Sequence, residues 1–145
     1  NEIRKPITRF KELFFPVSCR FTLQCINYIS QPATFFRRSA CDKAGPLRES
    51  IENAWDYHLI IRLLRYGRSM WIRNPPLAAF RWYETSLSGT NFRKQFEEEW
   101  MIAAEDAGRF SPQALVHIGV RYGIVWSYTI MSALRKRRQA RADRG

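Results

Sequence analysis

A chain of 145 residues has room for one modest domain with a real core, and not for two. Hydrophobic residues at 46% and charged residues at 26% exclude disorder throughout. The net charge of +11 points to an anionic partner: membrane lipid, nucleic acid or a phosphorylated substrate.

Residues 1–25 are basic and aromatic, with Pro6 and Pro16 as punctuation, and no targeting segment is visible from Asn1 onward. Phe10, Leu13 and Phe14 share one helical face, so a short helix is expected over Thr8–Phe14, with an irregular surface segment as the alternative. Cys19, Cys25 and Cys41 form no C-x-x-C pair and leave an odd thiol, which argues for a reducing compartment and against cysteine metal binding. From Ile26 to Arg38 the pattern reads as a strand broken at Gln31-Pro32. Ser39–Ala44 reads as one helical turn closed by Gly45, and Arg48 through Trp55 as a connection or short helix.

Asp56 then stands before the apolar run Leu59, Ile60, Ile61, Leu63 and Leu64, broken only by Arg62 and closed by Gly67. That is the grammar of a buried helix over Asp56–Tyr66, with Asp56 accepting hydrogen bonds from the first free backbone N–H groups. A short strand is expected at Ser69–Ile72. Pro75-Pro76 forces a corner before a second strand, Leu77–Trp82. Thr85–Thr90 is a polar loop. Asn91–Ala107 is an amphipathic helix ended by Gly108, with Phe92, Phe96, Trp100 and Ala103 inward. Arg93–Glu97 and Lys94–Glu98 have the spacing of ion pairs along its exposed face. No chemistry is assigned to it.

After Ser111-Pro112, residues 113–134 are mostly apolar. A spanning helix needs about 20 apolar residues, and His117 with Arg121 inside the run argues against one. His117, Arg121, Tyr128 and Ser132 share a stripe, and Arg135, Lys136, Arg137, Arg138, Arg141 and Arg144 follow. An interfacial helix with a polybasic end fits this pattern, its apolar face in lipid and its arginines on anionic headgroups. The alternative is a helix packed on another part of the protein, followed by a frayed charged tail.

Several short segments carry a resemblance in register over residues 27–88. They are Asn27-Tyr28-Ile29-Ser30-Gln31-Pro32-Ala33-Thr34-Phe35-Phe36-Arg37-Arg38, then Gly45-Pro46-Leu47-Arg48-Glu49, then Asp56-Tyr57-His58-Leu59 through Arg62-Leu63. Pro76-Leu77-Ala78-Ala79-Phe80-Arg81 through Ser86-Leu87-Ser88 completes the set. Together they resemble the acceptor-side half of family 2 glycosyltransferases, which have the GT-A fold. The resemblance implies an α+β fragment of an α/β GT-A fold, with two to four short strands and C-terminal helices. Residues 1–108 would be the acceptor-binding, base-bearing part and 109–145 the helix with its polybasic tail.

The resemblance also implies inverting transfer of a sugar from a nucleotide-sugar donor to a glycan or lipid-linked acceptor, with Asp56 as catalytic base. Such a base takes the proton of the acceptor hydroxyl as its oxygen attacks the anomeric carbon. A carboxylate at a helix N-terminus is expected to stay ionised and to be a weak base; the plain alternative is a capping residue. The full enzyme is expected to use a divalent metal (Mg or Mn). Its D-x-D ligands are not among the four aspartates Asp42, Asp56, Asp106 and Asp143, so the nucleotide-binding half is expected to lie outside this chain.

Gln31, Arg37, Trp55, Arg81 and Tyr83 make up the expected substrate-binding set. The Gln31 amide suits a sugar hydroxyl, or equally the backbone groups that Pro32 leaves free. Arg37 suits the diphosphate, or keeps an edge strand soluble. Trp55 is a platform for an apolar sugar face, or a core residue. Two positions depart from the family: His58, where an acidic residue is common, and Tyr83, where a histidine is. Tyr83 replaces that metal ligand poorly, and its hydroxyl remains able to donate to a diphosphate.

The runner-up is a basic module that binds nucleic acid or an anionic membrane without catalysis. Positive charge collected at the two ends, and no helix-turn-helix, zinc-finger or RNP signature, leave nucleic acid not expected as a partner. An anionic membrane surface is expected to meet the chain through 112–144. The implied location is cytoplasmic, peripheral on the inner face of the membrane.

Overall fold

The computed structural model describes residues 11–72, 78 and 91–142. Within them the α-helices are α1 (Arg20–Cys25), α2 (Arg38–Ala44), α3 (Trp55–Leu63), α4 (Phe92–Ala107) and α5 (Pro112–Ala142). Short 3-10 turns occupy Phe15–Val17 and Gln31–Ala33. Of the helix expected at Thr8–Phe14, only Lys11 and Glu12 are both described and helical. Gly45 (φ 76) and Gly108 (φ 96) end α2 and α4 in backbone conformations that a side chain would strain.

The described residues contain no strand, and this overturns the expected α+β architecture. The period-two signal is genuine only over 26–28, where Ile26 and Tyr28 are buried and Asn27 between them is half-buried; Ser30, next in the series, is exposed. The segment runs extended without a partner strand, because its inward side chains pack on helices instead of joining a ladder. Gln31-Pro32 then opens a 3-10 turn, and α2 takes up the arginine end of the expected strand. At Ser69–Ile72, Ser69 Oγ donates to Ser18 O (3.1 Å) and Trp71 stacks on Phe15 at 5.1 Å, while Met70 and Ile72 are exposed. Leu77–Trp82 lies outside the described residues except for Ala78.

One core joins Leu23 and Ile26 of the α1 region, Tyr28, Ala54, Tyr57, Ile60 and Ile61 of the α3 region, and Ile102 of α4. Phe14 stacks on Tyr28 at 5.4 Å and Phe15 meets it edge-on at 6.0 Å, so the aromatic N-terminal segment closes one side. α1 has six residues, far below the length at which a helix holds in water. Its neighbours hold it: Tyr57 Oη donates to Leu23 O (2.9 Å), and His117 Nδ1 bonds Gln24 O (2.9 Å). A carbonyl only accepts, so the proton of His117 sits on Nδ1. Burial keeps that imidazole below its ordinary pKa and therefore neutral. His117 is a core residue, 2% exposed, and does not face out on a polar stripe.

A carboxylate at the end of α4 ties three segments together. Asp106 accepts from Arg20 Nε (2.8 Å) and Gln24 Nε2 (2.7 Å) of α1, and from Arg65 just beyond α3. Burial alone would raise its pKa; the hydrogen bonds from Arg20, Arg65 and Gln24 outweigh that and hold it below the ordinary aspartate value. Folding therefore favours the ionised form, so this contribution is present above about pH 4 and is lost as pH falls through the folded pKa. Asp106→Ala is expected to lower the unfolding free energy by about 3 kcal/mol in urea denaturation at pH 7. That loss should shrink as pH falls through the folded pKa, below which both states of the wild type are protonated.

Candidate functional site around Asp56

Asp56 lies in the first turn of α3, one residue inside it; the N-cap is Ala54. Its Oδ1 accepts the N–H of Tyr57 at 2.8 Å, which pins the carboxyl to the start of the helix. The backbone amides before the helix are satisfied from elsewhere. Glu98 Oε2 of α4 accepts the N–H of Asn53 (2.7 Å) and of Ala54 (2.9 Å), and its Oε1 accepts from Asn53 Nδ2 (3.0 Å). A carboxylate supplied by another helix thus does what a local cap would do.

Burial raises the pKa of Asp56 above its ordinary value, against hydrogen bonds from the Tyr57 and Asp56 amides and the charge of Lys11, which lower it. Desolvation outweighs the helix N-terminus, so Asp56 holds a proton more strongly than an exposed aspartate and is a stronger base than its place at a helix start implies.

Two further charged groups feel this carboxyl. Glu99 of α4 is 3% exposed and accepts from Asn27 Nδ2 (2.9 Å) and Gln95 Nε2 (3.1 Å). Burial drives its pKa up to about 7, with the charge of Asp56 adding to the rise and Lys11 opposing it. Burial lowers the pKa of Lys11, while Glu99 and Asp56 pull it back up. A lysine and two carboxyls therefore share one desolvated environment at the start of α3. Asn27 Oδ1, beside Glu99, is buried without a hydrogen-bond partner.

The other expected site residues fall as follows. Trp55 opens α3 next to Asp56 and is 38% exposed, which suits a platform and not a core tryptophan. Gln31 begins the second 3-10 turn, half-buried, and Arg37 is the exposed N-cap of α2. Among the described residues neither side chain has a hydrogen bond or ion pair, and none joins them to Asp56. Arg81 and Tyr83 lie outside the described residues. His58 is half-buried with Nδ1 unpartnered; burial and the charges of Arg62 and Arg48 lower its pKa, so it is neutral at pH 7. Among the described residues no three His, Cys, Asp or Glu gather to hold a metal.

Glu99 and Lys11 escaped the reading of the sequence, yet Glu99 left a signal. Phe92, Phe96, Glu99 and Ala103 have the four–three–four spacing of an inward helical seam, whereas Trp100 lies about 100° to one side of Glu99. The most buried residues of α4 are Glu99, Ile102 and Ala103. The expected surface pairs of α4 do not form either: Lys94 Nζ bonds Glu52 Oε2 (2.6 Å) and Glu98 turns to α3.

No protein-family model matches the chain, and neither a curated protein nor a solved structure matches it.

Glu99 binds its proton more tightly folded than unfolded. Stability from this group is therefore fully present below the unfolded value near 4.5 and declines as pH rises through about 7. The slope is at most about 1.4 kcal/mol per pH unit. Glu99→Gln keeps an acceptor for Asn27 and Gln95 and removes the titration. Its unfolding free energy, followed by urea titration from pH 5 to 8 (about the range over which Glu99 changes state), is expected to be flatter than wild type. Identical slopes would mean that Glu99 does not titrate there.

Proposed function

We propose that the chain is the acceptor-side, base-bearing portion of an inverting family 2 glycosyltransferase. It would act with a nucleotide-binding half to move a sugar from a nucleotide-sugar to a glycan or lipid-linked acceptor. The observation that carries this reading is the state of Asp56. Its carboxyl is fixed on the start of α3 through the Tyr57 N–H, and desolvation raises its pKa. A carboxylate fixed in position and made more basic by desolvation is what proton removal from a sugar hydroxyl requires.

In this reading the acceptor lies over the exposed face of Trp55 with one hydroxyl directed at Asp56. The hydroxyl oxygen forms its bond to the anomeric carbon from the face opposite the leaving group. The bond to the nucleoside diphosphate breaks, and the proton passes to the free Asp56 oxygen. Inversion follows from the single displacement. Lys11 and Glu99 set the charge around the base: the ammonium favours the carboxylate, and an ionised Glu99 opposes it. Gln31, Arg37, Arg81 and Tyr83 remain the proposed contacts to sugar and diphosphate. A divalent metal, Mg or Mn, would neutralise the departing diphosphate; its ligands are not assembled among the described residues. A cytoplasmic location, peripheral on the inner face of the membrane, goes with this reading.

Asp56→Asn keeps an acceptor for the Tyr57 N–H and abolishes the base. In the chain joined to its nucleotide-binding half, kcat is expected to fall by about 10²–10⁴ with little change in acceptor KM. The acid limb of the wild-type kcat/KM profile should lie above the ordinary aspartate range, as the raised pKa requires. Transfer at the wild-type rate by Asp56→Asn would remove Asp56 from the mechanism.

A further inference from the structure

The two faces of α5 have different fates. Ala114 and His117 are buried against α1 and α4, with Val120 packed on the core. The opposite face carries Leu115, Val116, Tyr122, Trp126 and Ile130, which are 57%, 50%, 63%, 68% and 38% exposed. On a helix of 3.6 residues per turn these five, with Gly119 and Gly123 between them, fall within an arc of about 120°. They run about 22 Å along the axis. The hydroxyl of Thr129, at the edge of this arc, donates to Val125 O at 2.8 Å, so its donor is already satisfied within the helix. In its last turns the same helix carries Arg135, Lys136, Arg137, Arg138 and Arg141.

We propose that α5 lies along an anionic lipid surface, with Leu115, Tyr122, Trp126 and Ile130 entering the headgroup–acyl boundary and the basic end held by lipid phosphates. Charge decides the occupant. A protein partner would be served by the apolar arc alone, whereas an apolar arc continuing into a run of arginine and lysine matches a surface that is apolar below and negative above. The aromatic residues fit the same boundary, where one edge of tyrosine or tryptophan is wet and the rest is apolar. The helix lies on the membrane and does not cross it: among the described residues no helix is long and apolar enough to span a bilayer. Because the inward face stays docked on α1 and α4, binding requires no unfolding.

The test is co-sedimentation of the full chain with vesicles of phosphatidylcholine, alone or mixed with phosphatidylglycerol, at low and high salt. Wild type is expected to sediment with the mixed vesicles, to be released by salt, and to leave pure phosphatidylcholine vesicles nearly unbound. Tyr122→Ser/Trp126→Ser, which touches only exposed positions, should weaken binding by about tenfold or more at unchanged helix content by circular dichroism. The lipid and salt arms need no variant. The proposal is overturned if the mixed vesicles are not bound, if pure phosphatidylcholine binds equally well, or if the folded double variant binds like wild type. It is also overturned if wild type forms a dimer that the double variant dissolves, since the face then belongs to a second copy. Binding to a single-stranded oligonucleotide without binding to vesicles would overturn it as well.

Discussion

The fold depends on a buried carboxylate. Asp106 sits at the end of α4 with its side chain 3% exposed, and receives guanidinium groups from Arg20 and Arg65 and the amide of Gln24. Without such partners an ionised group there would be prohibitively costly; with them it fixes where α1 and the end of α3 sit relative to α4. α1 is too short to exist by itself, so its position is set from outside: by Asp106 on its side chains, and by Tyr57 and His117 on its last carbonyls. Among the described residues, which form no sheet, polar contacts in this way specify which helix meets which.

α4 is the helix on which the site leans. Its acidic run divides by direction: Glu97 is exposed, Glu98 holds the N-terminal amides of α3, and Glu99 enters the core beside Asn27. Consecutive residues on a helix point about 100° apart, so three neighbouring glutamates meet three environments. Asp56 inherits its properties from this arrangement. Glu98 serves the amides of Asn53 and Ala54 before α3, and Asp56 takes the Tyr57 N–H inside the first turn with one oxygen. Its proton affinity responds to the charge of Lys11, and its own charge in turn raises the pKa of Glu99. The same construction leaves the outer face of α5 unengaged by the core and available to a surface.

Much of the helical framework was legible in the residues. Gly45 and Gly108 mark the ends of α2 and α4, Ser111-Pro112 marks the start of α5, and the apolar run after Asp56 marks α3. These signals are local: a positive φ, a fixed proline φ and a 3.6-residue period each leave a trace in a few neighbouring positions. The strand expected from Ile26 was misread because period-two alternation reports only that alternate side chains are buried. It is silent on whether a second strand lies alongside, and around Ile26 and Tyr28 the buried side chains meet helices.

The sequence by itself determined where α2 and α4 end and where α5 begins, that the chain carries strong positive charge, and that Asp56 opens a buried helix; it left α1 unmarked and ran α3 on to Tyr66. Tertiary structure alone decided which charged residues are buried and whom they face. Glu98 reaches Asn53 across 45 positions, Arg20 reaches Asp106 across 86, and His117 reaches Gln24 across 93. Desolvation depends on everything packed around a group, and no window of neighbouring residues contains that information.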